Sequence, residues 1–429
     1  MAKGAAQYDI THLLGQHLDR HLVFPLLDFL QAKEVYSEEE LLDGKLDLLS
    51  KTNMVDFAME IWSKRHDNPT PPEEMVKRRE EVIQNLLSIQ DQCGNILALI
   101  TPESEDQECI ADTLIREKLF DMAYLSEEYG VTQEHLKGFY EFARFQFGCG
   151  NYTAAADLLA YYRVLSSSQE KCFSALWGKL AAEILMPQWD IALGDLKQLQ
   201  QLIENRTSVS AAVQLKQRTW LMHWSLFVFF NHPNGRNSVV ELFMSDKYLN
   251  AIQTTCPHLL RYLVVAAVTN KRKRNTVKDV VRVIQMEEHS YSDPLTQFLE
   301  CLYVSYDFAG AWAKLAECQV LLSTDYFLSK SGDDFIENAR LLVFETYCRV
   351  HECIEIEMLA KRLNMTEEQA ERWIVTLVRN AHLDAKIDSA KDQVVLGSQS
   401  SNVYQQLIDR TKGICKRTYD MNGALQKLN

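Results

Sequence analysis

The strongest constraint on this chain lies between Phe335 and Leu396, where three kinds of periodicity follow one another. From Phe335 the apolar residues Ile336, Ala339, Leu342, Val343, Tyr347 and Val350 recur at helical spacing, and Leu341, Phe344 and Cys348 add a second apolar face. That pattern predicts a long helix buried from two sides. A β-like run, Ile354-Glu355-Ile356, and a short helix, Met358 to Leu363, come next. Thr366 and Gln369 form a capping box. It opens a helix with Ala370, Trp373, Ile374, Leu377, Val378 and Ala381 on one face. Lys386-Ile387-Asp388 and Gln393-Val394-Val395-Leu396 flank a turn-rich tetrapeptide and read as a hairpin. Helix, turn, capped helix and β-wing in that order predict a winged helix with Trp373, Ile374 and Leu377 in its core.

Upstream, one local pattern recurs: an aromatic or large apolar residue opens a helix and a small residue follows at close spacing. It is clearest in Gly150-Asn151-Tyr152-Thr153-Ala154-Ala155, returns at Gln188-Trp189-Asp190-Ile191-Ala192 and at Asp307-Phe308-Ala309-Gly310-Ala311, and is degenerate at Thr52 to Ala58. Tyr152 and Trp189 stand 37 residues apart, close to the roughly 34-residue period of tetratricopeptide hairpins. The small residue lets two helices approach, so the recurrence predicts a right-handed helical-repeat solenoid. The fold class is therefore mainly α, a tetratricopeptide-like solenoid ending in a winged helix with a small β-wing. Residues 8 to 65 read as short helices with a turn or kink at Pro25. His66 to Pro72 reads as a linker, and Glu73 to Cys93 as one long helix. Met75, Val82, Leu86, Ile89 and Cys93 form its narrow apolar stripe, better suited to packing on its own domain than to a partner helix. Four segments follow: a helical region over 1–65, linker, long helix and repeats over 66–218, repeats with winged helix over 219–397, and a short helix with polar tail over 398–429.

Composition removes several functions. The net charge of −14 argues against broad attraction to phosphate backbones. The N-terminal residues predict no signal peptide, and Trp220 to Phe230, the most apolar run, is too short to span a bilayer. Ten cysteines without a Cys-x-x-Cys pair point to reduced thiols. Cys348, His351 and Cys353 offer three metal-type side chains without a fourth, so core cysteines are the better reading. His223 and His258 lie on apolar helices, as satisfied core histidines do. No phosphate loop, nucleophile elbow, His-Glu-x-x-His or His-x-His occurs. No catalytic residue, cofactor site or metal site is predicted. The basic run Lys271, Arg272, Lys273 and Arg274 suits a solvated loop, with nuclear import or a weak RNA contact as the alternative.

Several blocks carry a closer resemblance: His21 to Leu27, Gly44 to Leu49 with Thr52 to Ala58, Gln217 to Trp220 with His223 to Pro233, Asp334 to Arg340, and Glu371 to Ile374 with Leu383 to Asp388. The architecture resembles the PCI module, and these blocks resemble the family of e subunits of eukaryotic translation initiation factor three. The resemblance implies a non-catalytic scaffold subunit of a large cytoplasmic complex, with room for a nuclear fraction. That complex binds the small ribosomal subunit and promotes recruitment of initiator tRNA and mRNA. Implied partners are other PCI and MPN subunits (c, d and l among them), the small ribosomal subunit and the scaffold factor of the cap-binding complex. RNA contact is indirect or weak, and no membrane is involved. The alternatives are a winged-helix nucleic-acid binder and a PCI subunit of a proteasome-lid or signalosome complex. Against the first, the helix from Thr366 sets Glu367, Glu368 and Glu371 against Arg372 and Arg379. Ile387, Val394, Val395 and Leu396 form the candidate assembly interface. Alternation puts Val394, Leu396 and Ile387 toward the Trp373 helix and leaves Val395 outward beside an unpaired sheet edge.

Overall fold

The structure, a computed structural model, describes residues 6–66, 70–100, 110–117, 119–206, 209–233, 235–270, 274–351, 353–355, 372, 375, 385–388, 393–396 and 403–426. The chain forms two compact units, Met1–Tyr306 with Ala313–Asn338, and Asp307–Trp312 with Ala339–Asn429.

The first unit opens with short helices, α1 Thr11–Gly15, α2 Arg20–Ala32, α3 Glu38–Ser50 and α4 Val55–His66. Then come α5 Glu73–Cys93, α6 Asn95–Ile100, α7 Ile110–Arg116, α8 Met122–Tyr129, α9 Gln133–Gly148, α10 Tyr152–Leu165, α11 Gln169–Leu185, α12 Trp189–Asn205 and α13 Ala211–Asn231. The series continues through α14 Gly235–Phe243, α15 Asp246–Thr255, α16 Leu260–Thr269, α17 Arg274–Glu287 and α18 Pro294–Tyr303, and two further helices, α19 Phe308–Thr324 and α20 Gly332–Val350, are divided between the two units. From α9 to α14 each helix packs on its successor, the nearest-neighbour arrangement of a solenoid. No described helix is long and apolar enough to cross a membrane.

The recurring motif has a direct structural counterpart. Val55, Tyr152, Trp189 and Phe308 are the first residues of α4, α10, α12 and α19. The alanine three positions on, Ala58, Ala155, Ala192 or Ala311, is buried in every copy. A methyl there gives close approach without a cavity, and one helical turn sets the spacing. Gly150 serves the Tyr152 copy twice, with φ at +89° and a Cβ that would lie 3.0 Å from Met54 Cε.

The long helix α5 keeps its predicted ends, and its stripe faces inward. Leu86, Ile89 and Cys93 join the core around Phe139, Phe142 and Tyr162. Gly138 permits the approach of α9, since a Cβ there would stand 2.9 Å from the Gln92 carbonyl oxygen. Pro25 does not end the N-terminal helix, contrary to the turn that the sequence allowed there: α2 runs through it from Arg20 to Ala32. An interior proline costs about 3 kcal/mol. Leu22, Val23, Phe24, Leu26 and Leu30 are all buried on this helix, each at about 1.5–3 kcal/mol, so packing outweighs the lost hydrogen bond.

The N-terminal residues are fastened to distant helices. Arg261, almost wholly buried on α16, donates from Nη1 to the Tyr8 carbonyl at 2.9 Å. It also reaches Asp293 at 3.0 Å and Asp325 at 3.3 Å. Tyr291 and Tyr262 hydroxyls donate to the same two carboxylates at 2.9 and 3.0 Å. Trp224 Nε1 donates to the His17 carbonyl at 3.1 Å, and the Tyr152 hydroxyl lies 3.0 Å from His21 Nδ1.

In the second unit Phe308 meets Tyr347 edge-on at 5.0 Å. Val350, expected on the buried face of α20, is 52% exposed because the helix ends there. The remaining described elements are strands β1 Cys353–Glu355, β2 Ala385–Asp388 and β3 Gln393–Leu396, and the helix α21 Val403–Gln426.

Candidate assembly interface

The three strands form one antiparallel sheet in the order β1-β3-β2. The hairpin expected from the sequence is present, with Ile387 opposite Val394 and Lys386 opposite Val395. The expected open edge beside Val395 is not. β3 is the central strand, because Cys353 pairs with Val395 and Ile354 with Val394 on its other side. The short run after α20 supplies this partner one residue earlier than the sequence suggested, at Cys353 rather than Ile354. A free strand edge is a row of unmet hydrogen-bonding groups, and β1 meets those of β3. Among the described residues the outer edges belong to β1 and β2. Trp373, Ile374 and Leu377, the expected winged-helix core, lie outside the described residues. Arg372 and Val375 are helical and exposed.

Sequence reasoning underestimated α21. It read a short amphipathic helix at Val403, Leu407 and Ile408 followed by a polar tail, whereas the helix has 24 residues. All its described side chains are exposed, among them Leu407, Ile408, Ile414, Tyr419 and Met421. Leu407, Thr411, Ile414, Thr418 and Met421 are spaced four, three, four and three apart, the repeat of a helix-to-helix seam. The threonines disguised it. Thr411 Oγ1 donates to the Leu407 carbonyl at 2.7 Å and Thr418 Oγ1 to the Ile414 carbonyl at 2.9 Å. Both hydroxyls are thus spent on the helix's own backbone, and these polar residues lose much of their polarity. The signal was the seven-residue spacing, available to a reading that scored threonine as half apolar.

The other sequence candidates resolve differently. Lys271, Arg272 and Lys273 lie outside the described residues, and Arg274 opens α17. His223 and His258 are core histidines bonded to each other, Nε2 to Nε2 at 2.8 Å. His223 Nδ1 sits 2.7 Å from the Thr219 carbonyl. A carbonyl only accepts, so His223 carries its proton on Nδ1, and His258 Nε2–H donates to the free Nε2. Burial keeps both neutral: His258 is pushed down to about 3, helped by His17, Arg261 and His12, and His223 well below its usual range. His17 completes the cluster, its ring 4.4 Å from that of His223.

Among the described residues no group of three histidines, cysteines or carboxylates is placed to hold a metal. His351 packs on Tyr347 at 4.1 Å instead. The described cysteines are free, and burial pushes the Cys93, Cys149 and Cys256 thiols up to about 11, away from reactivity. A buried carboxylate on α11, Glu183, is 2.9 Å from Lys179 Nζ. Desolvation pushes it up to about 7, with Lys179 opposing and Asp195 adding to the rise.

A helical solenoid followed by a three-stranded antiparallel sheet defines a PCI-type protein. Residues 315–398 match the family model for the PCI domain, and residues 9–146 match the model described as eIF3 subunit 6 N terminal domain. The E subunit of eukaryotic translation initiation factor 3 from Arabidopsis thaliana is 46% identical over 436 residues, covering 99% of this chain and 98% of its own. The corresponding E subunits of Bombyx mori and Drosophila melanogaster are 45% and 44% identical, each match covering 98% of this chain and 96% of the relative. The chain belongs to this family, the E subunits of eukaryotic translation initiation factor 3.

Proposed function

We propose that the chain is a non-catalytic scaffold subunit of the cytoplasmic initiation factor 3 complex, positioned among its PCI and MPN subunits. Through that complex it takes part in binding the small ribosomal subunit and in recruiting initiator tRNA and mRNA. The observation that carries this reading is α21. Its seam exposes Leu407, Ile414 and Met421 at 55%, 63% and 64%. Gly413 stands inside the helix with nothing near its Cβ position, and an interior glycine costs about 1 kcal/mol relative to alanine. A helix so exposed and so interrupted gains most of its stability from a covering partner helix. The sheet supports a second contact. Among the described residues β1 and β2 present outer edges; Ile387 lies on edge strand β2, whereas Val394, Val395 and Leu396 lie on central β3 and would meet a neighbour through a face of the sheet.

The test is co-purification of a tagged Ile414→Lys, Met421→Lys chain from cells, beside a thermal melt. Each seam residue is worth about 1.5–3 kcal/mol when covered, so companion subunits should fall at least about tenfold while the melt is unchanged. Recovery at the wild-type level removes α21 from the interface. Val395→Lys does the same for the sheet: a folded variant that assembles normally excludes it.

A further inference from the structure

We propose that a cleft between the N-terminal helices and α9 binds a short acidic peptide segment of a partner protein. The cleft measures about 530 Å³ and lies where the start of α2 and the α3–α4 turn face the C-terminal half of α9. That volume falls within the roughly 300–1,000 Å³ of ordinary ligand sites. Its chemistry is unbalanced. The nearby backbone acceptors are already engaged: the Lys51 carbonyl accepts from Arg20 Nη1 at 2.6 Å, the Thr52 carbonyl from Arg78 Nη2 at 2.6 Å, and the Gly148 carbonyl from Asn53 N–H at 3.1 Å. Asp19 caps α2, its Oδ1 accepting from the His21 N–H at 3.0 Å, so three cationic side chains (Arg20, Lys51 and Arg144) stand against two carboxylates (Asp19 and Glu141) in the lining.

Donors are left over. Arg20 uses one of its five N–H groups in the Lys51 bond. Arg144, exposed on α9, has neither an ion pair nor a hydrogen bond among the described residues. Lys51 is tied only to exposed Asp47, at 2.8 Å. A ligand that satisfies this wall must bring acceptors with negative charge, as carboxylates do.

Two further features favour a peptide over a nucleic acid. Glu141 lines the same cleft without a partner among the described residues. It repels a continuous string of phosphates, yet it can accept one backbone N–H from a peptide. Phe145 and Phe147 are half-buried in the wall, and an apolar side chain between two acidic ones would rest on them.

The probe is a fluorescein-labelled hexapeptide alternating glutamate and phenylalanine, titrated with the full chain and followed by anisotropy. Two controls carry the contrast, a peptide with lysine for glutamate and a hexauridine RNA. The acidic peptide should bind the wild type with micromolar affinity and weaken as salt rises. Arg144→Glu should weaken it by about tenfold or more, and Arg144→Ala, which adds no charge, by about threefold or more. Glu141→Gln should retain binding. Since Arg144 and Glu141 are exposed, the melts should match wild type. Any one of three results overturns the proposal: no binding to the wild type, equal binding by the Arg144 variants, or preference for the lysine peptide or the RNA.

Discussion

Acid should loosen the junction between the N-terminal segment and the solenoid, and the His223–His258 pair sets the size of the effect. Both rings are buried and neutral in the fold. In the unfolded chain they titrate near 6.5. Folded values below the unfolded value mean stability that is present above pH 6.5 and lost as pH falls beneath it. Going from pH 7 to pH 5.5 costs about 1.3 kcal/mol per histidine, or about 2.5 kcal/mol for the pair. His17 and His21 act in the same direction, since burial lowers both.

Glu183 opposes them. Its carboxyl is raised, so its unfavourable contribution fades as pH drops from about 7 toward 4.5, returning about 1–2 kcal/mol. Glu183→Gln therefore provides the clean background. Hydrogen exchange of α13 peptides, corrected for intrinsic rates, reads the junction directly. In that background, His258→Gln should remove about 1.3 kcal/mol of the loss between pH 7 and 5.5, whatever it does to stability at pH 7. Parallel pH profiles with and without His258 would refute the assignment.

Three further outcomes follow from buried contacts. Arg261→Met should destabilise the first unit by about 3–5 kcal/mol, because it strands Asp293 and Asp325, and adding Asp293→Asn and Asp325→Asn should recover much of that in urea unfolding. Ala192→Leu should cost about 1–3 kcal/mol by overpacking a fully buried site, whereas the same change at exposed Gly194, with open space at its Cβ, should be neutral or stabilising in the same melt. Gly150→Val forces a β-branched residue to a φ of +89° and presses on Met54, so the melt should fall by an amount equivalent to about 1–3 kcal/mol.

The solenoid was legible because its signal is local. An aromatic that opens a helix and an alanine one turn later can be seen within six residues, and Ala155 and Ala192 are buried as that spacing requires. The ends of α5 were legible for the same reason, with Pro72 before it and Gly94 after it. Nonlocal facts were not. Nothing near Pro25 announces that Leu22 and Leu26 will be buried strongly enough to carry a helix through it. The pairing of Cys353 with Val395 joins residues separated by the whole winged-helix segment, so the sequence showed the hairpin but not its third strand. The seam of α21 was hidden for a chemical reason, since Thr411 and Thr418 count as polar until their hydroxyls are seen to be bonded.

The bond from Arg261 to the Tyr8 carbonyl spans 253 residues, and that distance is also a delay. Ribosomes add about 5–20 residues per second, so roughly 13–50 seconds separate the synthesis of the two ends of this contact. Throughout that interval Leu26, Phe29 and Leu30, which line one cleft with Tyr262, Tyr326 and Phe327, lack part of their final cover. A nascent chain of this family therefore offers an apolar N-terminal segment to chaperones for most of its translation. Truncations ending before α16 should stay chaperone-bound, and those that include α18 and Asp325 should be released.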